Sequence, residues 1–201
     1  FAFSDAGKYP TPTSRLAVNI TGATVANHFY IDWTYNMDIE IVDTTIGVVG
    51  GMPPPAALRL YRFTNTTLKL RDTAIHASQA AVYIYLMVNG TLDVARCVLD
   101  ATFKDPNVEE ETKEGLRIYY AADSAITVFN STILATNSYE EYESYAFQMY
   151  NVQRSRVSLR DNIVTAGSRW AARALSLDRF SDGTVAVVEG NRLKTTCCND
   201  P

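Results

Sequence analysis

The feature that most constrains this chain is a repeat. Residues Ala57–Ile75, ALRLYRFTNTTLKLRDTAI, hold two short alternating runs with a polar turn between them and an aliphatic residue just after. With Leu58 as offset zero, the apolar positions are offsets zero, two, ten, twelve and seventeen: Leu58, Leu60, Leu68, Leu70 and Ile75. The same offsets give Phe29, Ile31, Ile39, Ile41 and Ile46, then Val82, Ile84, Leu92, Val94 and Leu99. They recur as Leu116, Ile118, Ile126, Val128 and Ile133, and as Phe147, Met149, Val157, Leu159 and Val164. A last copy, Leu175, Leu177, Val185 and Val187, slips at its final position, where Arg192 stands and Leu193 follows. Val18, Ile20 and Val25 fit the second half of an earlier partial copy.

Each half of the unit has the period of a strand with one buried face. Two to three strands per unit with no helical stretch between them point to stacking, each coil pairing in parallel with the next. The expected fold is all-β: a single-chain right-handed parallel β-helix, or solenoid, of about six to seven coils. Residues 1–15, with Pro10 and Pro12, read as an extended lead-in. The β-helix is assigned to 16–194, and 195–201 to a C-terminal tail with vicinal cysteines.

A net charge of −4 argues against general affinity for nucleic acid or anionic membrane. No run is apolar and long enough to span a bilayer as a helix. The first residue is Phe1, which reads as a processed or excised piece of a longer chain. Asn19, Asn65, Asn89 and Asn130 head Asn-X-Ser/Thr sequons, the glycan acceptors of secreted or cell-surface proteins. Asn is also simply a good turn residue. Cys97, at offset fifteen, is expected in a turn rather than the deep core. Cys197 and Cys198 are adjacent, so bonding to each other would be strained, and partners elsewhere are expected if the compartment is oxidising. No Cys/His spacing suggests a metal site.

Insertions enter only between one coil's last position and the next anchor, so they emerge along one edge, where loops on a constant scaffold carry binding. Two of them, DATFKDPNVEEETKEG and LATNSYEEYESY, bring Glu109, Glu110, Glu111 and Glu114 beside Glu140, Glu141 and Glu143. Clustered carboxylates suit a basic protein partner or calcium. The competing reading is a solvated, solubilising loop pair. A third insertion, TAGSRWAARA, has room for one helical turn.

The second candidate surface is the outer face of the first strand. Offset one runs Tyr30, Arg59, Tyr83, Arg117, Gln148 and Ser176, and offset three runs Asp32, Tyr61, Tyr85, Tyr119, Tyr150 and Asp178. Alternation turns these outward. Tyr and Arg are favoured at recognition hot spots, and tyrosines stack on sugar rings. A ladder that only stabilises its sheet is the alternative. Offset fourteen, Asp43, Asp72, Arg96, Asn130, Asp161 and Glu189, is read as turn chemistry with side-chain hydrogen bonds to backbone. His28 and His76 occupy different offsets, and no GxSxG or phosphate-binding loop occurs.

The series ALRLYRFTNTTLKLRDTAI, GLRIYYAADSAITVFNSTI and AFQMYNVQRSRVSLRDNIV resembles the right-handed parallel β-helices of the pectin-lyase-like superfamily, over roughly Ala17 to Leu193. More loosely, the texture resembles the dispersed-gene-family surface proteins of trypanosomatids. The superfamily's enzymes cleave acidic polysaccharides, some with calcium. The NTD, DD and GHG motifs of its polygalacturonases are absent, and for its lyases Arg59 and Arg117 are the residues that would lie near a groove. The expectation is a non-enzymatic structural or adhesive β-helix segment, secreted or on a cell surface, without a cofactor. Its open ends would meet other copies or further segments of the same protein. The alternative is a carbohydrate-active enzyme or glycan-binding module.

Overall fold

The computed structural model describes residues 2–3, 15–47, 55–103, 112–137 and 142–197, with the side chains of Ala2, Phe3 and Cys197 left aside. Every strand pairing within it is parallel, and the strands form three sheets that each run the length of a solenoid. The first sheet holds Ala2–Phe3, Phe29–Ile31 with Thr34–Tyr35, Ala56–Thr64, Ala80–Val88, Lys113–Ile118 with Ala121–Ala122, Glu143–Gln153 and Ala171–Ser181. The second holds Leu16–Thr21, Met37–Val42, Thr67–Arg71, Thr91–Ala95, Ala125–Phe129, Arg156–Arg160 and Val185–Glu189. The third holds Thr24–Val25, Thr45–Ile46, Ala74–His76, Val98–Ala101, Thr132–Asn137, Ile163–Ser168 and Arg192–Cys197. One strand from each sheet makes a coil, so the chain is a parallel β-helix of seven coils.

The aliphatic offsets form continuous columns. Phe29, Leu58, Val82, Leu116, Phe147 and Leu175 are successive register partners in the first sheet. Val18, Ile39, Leu68, Leu92, Ile126 and Val157 follow one another in the second. Val25, Ile46, Ile75, Leu99, Ile133, Val164 and Leu193 do so in the third. From the second coil to the sixth these side chains are buried. Each such Leu, Ile, Val or Phe contributes about 1.5–3 kcal/mol by leaving water. Because a residue packs chiefly on its own coil and the coils above and below, stability accrues coil by coil.

A further inward column lies at offset five. Thr34, Phe63, Met87, Ala121, Val152 and Phe180 are register partners, and the first five are buried. What reads as a polar turn after the first strand is therefore a bend at offset four, beyond which the backbone pairs again. Trp33, Asn151 and Arg179 make that bend with positive φ.

The last coil departs from the sequence register. Ala186 and Val188, rather than Val185 and Val187, pair with Val157 and Leu159. Asp182, Gly183 and Thr184 fill a corner that Arg154 and Ser155 fill one coil earlier, so one extra residue shifts everything downstream. The same shift puts Leu193 opposite Val164 and Gly190, in place of Glu189, at the corner below Asp161.

Both remaining corners turn on left-handed residues. Asn36, Asn65, Asn89, Asp123, Arg154 and Asp182 form one stack, and Asp43, Asp72, Arg96, Asn130 and Asp161 the other, all with φ near +50°. Asn and Asp tolerate that conformation better than most residues. The side-chain-to-backbone bonds expected from the offset-fourteen residues come instead from the residue after each. Thr44, Thr73, Ser131 and Asn191 donate to the carbonyls of Val42, Arg71, Phe129 and Glu189. Cys97 belongs to this internal polar ladder: it accepts no place at the surface, is buried, and its Sγ donates to the Ala95 carbonyl at 3.3 Å. Thr66, Ser124 and Ser155 make the equivalent bonds at the other corner.

Thr45–Ile46, Val98–Ala101 and Thr132–Asn137 of the third sheet are each followed in the chain by a strand of the first sheet, and the insertions between them, 48–54, 104–111 and 138–141, lie outside the described residues. The TAGSRWAARA stretch holds no helix: Ile163–Ser168 passes to Ala171–Ser181 through Arg169 and Trp170 alone. The lead-in contributes the strand Ala2–Phe3, paired with Tyr30 and Ile31, and the last strand runs to Cys197, so β-structure extends past both boundaries drawn from sequence.

Candidate binding face

The first sheet carries the outward columns. Tyr30, Arg59, Tyr83, Arg117, Gln148 and Ser176 are register partners in that order. The Arg59 guanidinium lies 5.7 Å from the Tyr30 ring centre and 5.6 Å from that of Tyr83, and Arg117 lies 5.5 Å from Tyr83 on the next coil. Tyrosine and guanidinium thus alternate at the strand spacing, each cation against a ring face. Burial pushes the Tyr83 phenol up, against the opposing pull of Arg117. Glu114, expected on an acidic loop, instead sits in the strand Lys113–Ile118, buried, and accepts from Arg117 Nη1 at 2.5 Å. Arg59 has no carboxylate partner among the described residues.

Beside this column the tyrosines stack. Tyr61 and Tyr85 have ring centres 4.8 Å apart and planes 4° apart; Tyr85 and Tyr119 are 5.3 Å and 2° apart. Tyr119 and Tyr150 follow at 5.3 Å with a wider angle of 28°. Arg62 stacks 3.6 Å from the Trp33 ring centre at one end of the ladder, and Arg179 lies 4.7 Å from that of Tyr150 at the other. Both faces of Tyr85 and of Tyr119 are covered by neighbouring rings. What Tyr85 and Tyr119 offer outward is therefore ring edges and hydroxyls rather than a face for a sugar to stack on.

Two concavities border the ladders. One, of about 300 Å³, is lined by Arg59, Gln79, Tyr83, Thr112, Glu114 and Arg117. The other, of about 410 Å³, is lined by Trp33, Tyr35, Arg62, Thr64, Tyr85 and Leu86. Trp33 and Arg62 were not among the residues singled out from sequence. Their signal is offset four, Trp33, Arg62, Leu86, Tyr120, Asn151 and Arg179, which the bend turns outward directly after offset three.

Glu143 opens the strand Glu143–Gln153, where it accepts from the Tyr145 hydroxyl and lies 3.7 Å from Arg173. Glu109, Glu110, Glu111, Glu140, Glu141 and Cys198 lie outside the described residues. Among the described residues no group of three or more His, Cys, Asp or Glu side chains could hold a metal ion. The offset-fourteen residues form a structural ion pair: Arg96 straddles Asp72 with two bonds of 2.7 Å, holding the carboxyl below its usual range. Arg154 does the same to Asp123 at the other corner. His28 bonds Asn27, whereas His76 lies 3.4 Å from Asp100, so the two histidines do not converge.

Of the sequon residues, Asn19, Asn89 and Asn130 are exposed. Asn65 is half-buried in an amide ladder: its Nδ2 donates to Asn36 Oδ1 and its Oδ1 accepts from Asn89 at 3.4 Å.

Fold and face together define a parallel β-helix that displays an ordered Tyr/Arg surface along one sheet. Comparison with family models, curated proteins and solved structures returned no match.

Proposed function

We propose that this chain is a non-enzymatic structural and adhesive β-helix of a secreted or cell-surface protein, and that copies of it associate end to end. The observation that carries this is how the core ends. Leu159 and Val164 are each 5 % exposed, while their register partners one coil on, Val188 and Leu193, are 41 % and 48 % exposed. The columns stay apolar where they meet water, which costs stability unless something covers them. At the other end Val18, Ile20, Val25 and Phe29 line a concavity of about 440 Å³. A second copy laid head to tail presents the same three-sheet cross-section with the same strand polarity. Val18, Ile20 and Val25 would then extend the columns of Ala186, Val188 and Leu193, and strand edges unpaired among the described residues would gain backbone partners. Such a contact is heterologous and grows into a filament unless it closes.

Sedimentation velocity over a concentration series tests this. Mass should rise with concentration in the unmodified chain, and Val188→Glu with Leu193→Glu should hold the protein as the smallest species with unchanged circular dichroism. A monomer at every concentration overturns it. The surface location is supported by the exposed sequons at Asn19, Asn89 and Asn130. A mass loss on glycosidase treatment of protein from its native source checks it.

A further inference from the structure

We propose that the cleft around Arg59 is a docking site for an acidic peptide in polyproline II conformation, with a carboxylate at every third residue. This deepens the adhesive half of the function proposed above. The face offers hydrogen-bond donors rather than stacking platforms. Tyr85 and Tyr119 are closed on both faces by other rings, and Tyr83 is flanked by Arg59 and Arg117. The guanidinium edges and phenol hydroxyls remain, and these select an acceptor-rich, anionic ligand.

Arg59 is the anchor. It is exposed, it lies against rings on both sides, and its charge meets no carboxylate among the described residues. Rings fix a guanidinium plane in place without neutralising it, so the fork is held ready for a bidentate carboxylate. Gln79 and Thr112 add neutral polar groups to the same cleft. Arg117 supplies a second contact. Its Nη1 is taken by Glu114, which leaves Nη2, so this contact is weaker than the first.

The spacing of the two arginines selects the ligand's backbone. Arg59 and Arg117 sit two coils apart on one register column, about 9.6 Å at the usual strand separation. Their distances to the Tyr83 ring between them cap the separation at about 11 Å. An extended β peptide repeats a face about every 6.8 Å, which misses this interval. A polyproline II helix repeats a face every third residue, about 9.3 Å, which meets it. Such a helix is already stiff, so little ordering entropy opposes its docking across the two arginines.

The test is fluorescence anisotropy with a labelled (Pro-Pro-Glu)₄ peptide, run on the unmodified chain and on the Val188→Glu, Leu193→Glu variant. Running both keeps loss of end-to-end association separate from loss of binding. Binding should be saturable, and Arg59→Gln should weaken it about tenfold or more, the loss of one charged bidentate contact. Exchanging the peptide for (Pro-Pro-Gln)₄ should do the same, while Arg156→Gln, on the second sheet, should leave affinity unchanged. Absent binding of (Pro-Pro-Glu)₄, or binding indifferent to Arg59→Gln, overturns the proposal. So does displacement by tetragalacturonate at lower concentration than by unlabelled peptide, which would assign the cleft to an acidic glycan.

Discussion

The ring of Tyr85 lies parallel to that of Tyr119, with centres 5.3 Å apart and planes 2° apart, although 34 residues separate them in the chain. The parallel register that pairs Ile84 with Ile118 brings the two rings together, and the pair therefore reports on the coil geometry as well as on the face. A double-mutant cycle with Tyr85→Ala and Tyr119→Ala should give a coupling of about 0.5–1.5 kcal/mol in urea unfolding, the range for aromatic pairs. A coupling of zero would mean the rings do not share a surface in solution.

Gly90 has a steric reason to be glycine. A Cβ there would lie 2.7 Å from two carbons of the Phe63 ring, while the equivalent corner positions hold Thr66, Ser124 and Ser155. Gly90→Ala should cost about 1–3 kcal/mol by overpacking. Gly90→Ala combined with Phe63→Leu should cost less than the sum of the single changes, because the smaller side chain makes room. Additivity in thermal or urea unfolding would contradict this contact.

Much of this was legible in the sequence, and the rest was hidden for definable reasons. Offsets zero, two, ten, twelve and seventeen stand out because each is filled by a large aliphatic or aromatic residue in coil after coil. The offset-five column is as well buried, yet it runs Thr34, Phe63, Met87, Ala121 and Val152, whose unequal sizes and one hydroxyl break the pattern. In the last coil VAVVE offers two aliphatic registers, so the extra corner residue at 182–184 leaves no mark in the alternation. The outward columns of Tyr and Arg were readable from alternation alone. That their rings close one another's faces was not, since it depends on side-chain tilt. Glu114 looked like part of an acidic loop because Glu109, Glu110 and Glu111 precede it, but its register with Ala80 and Tyr145 makes it a strand residue.

The buried hydroxyls should be costly to remove. Ser124 Oγ donates to the Ala122 carbonyl at 2.7 Å and accepts from the Gly90 amide at 3.2 Å. Ser124→Ala leaves the buried Gly90 amide without its partner, while the Ala122 carbonyl keeps its bond from the Asn89 amide, and should destabilise by about 1–3 kcal/mol. Ser124→Thr keeps the hydroxyl and should recover part of that loss, measured by the same unfolding curves.

The corner ion pairs set an acid limit. Arg96 and Arg154 hold the Asp72 and Asp123 carboxyls below their ordinary value when folded, and in the unfolded chain these return to about 3.9. Their contribution is therefore present in full above that pH and is lost as pH falls through the lower folded values. Both pairs are exposed, so the effect is small. The stability gap between the chain and its Asp72→Asn, Asp123→Asn variant should narrow from pH 7 to pH 2.5. A gap that widens with acid would have the wrong sign.

The measurement that bears most directly on the stacked coils is the pattern of interstrand nuclear Overhauser contacts around Arg59, Tyr83 and Arg117. Parallel in-register strands should connect Leu58 with Val82 and Val82 with Leu116 through amide and side-chain protons, without strong α-proton to α-proton contacts. Strong α-proton pairs of the antiparallel kind, or no contact between Val82 and Leu116, would contradict the β-helix and the binding face built on it.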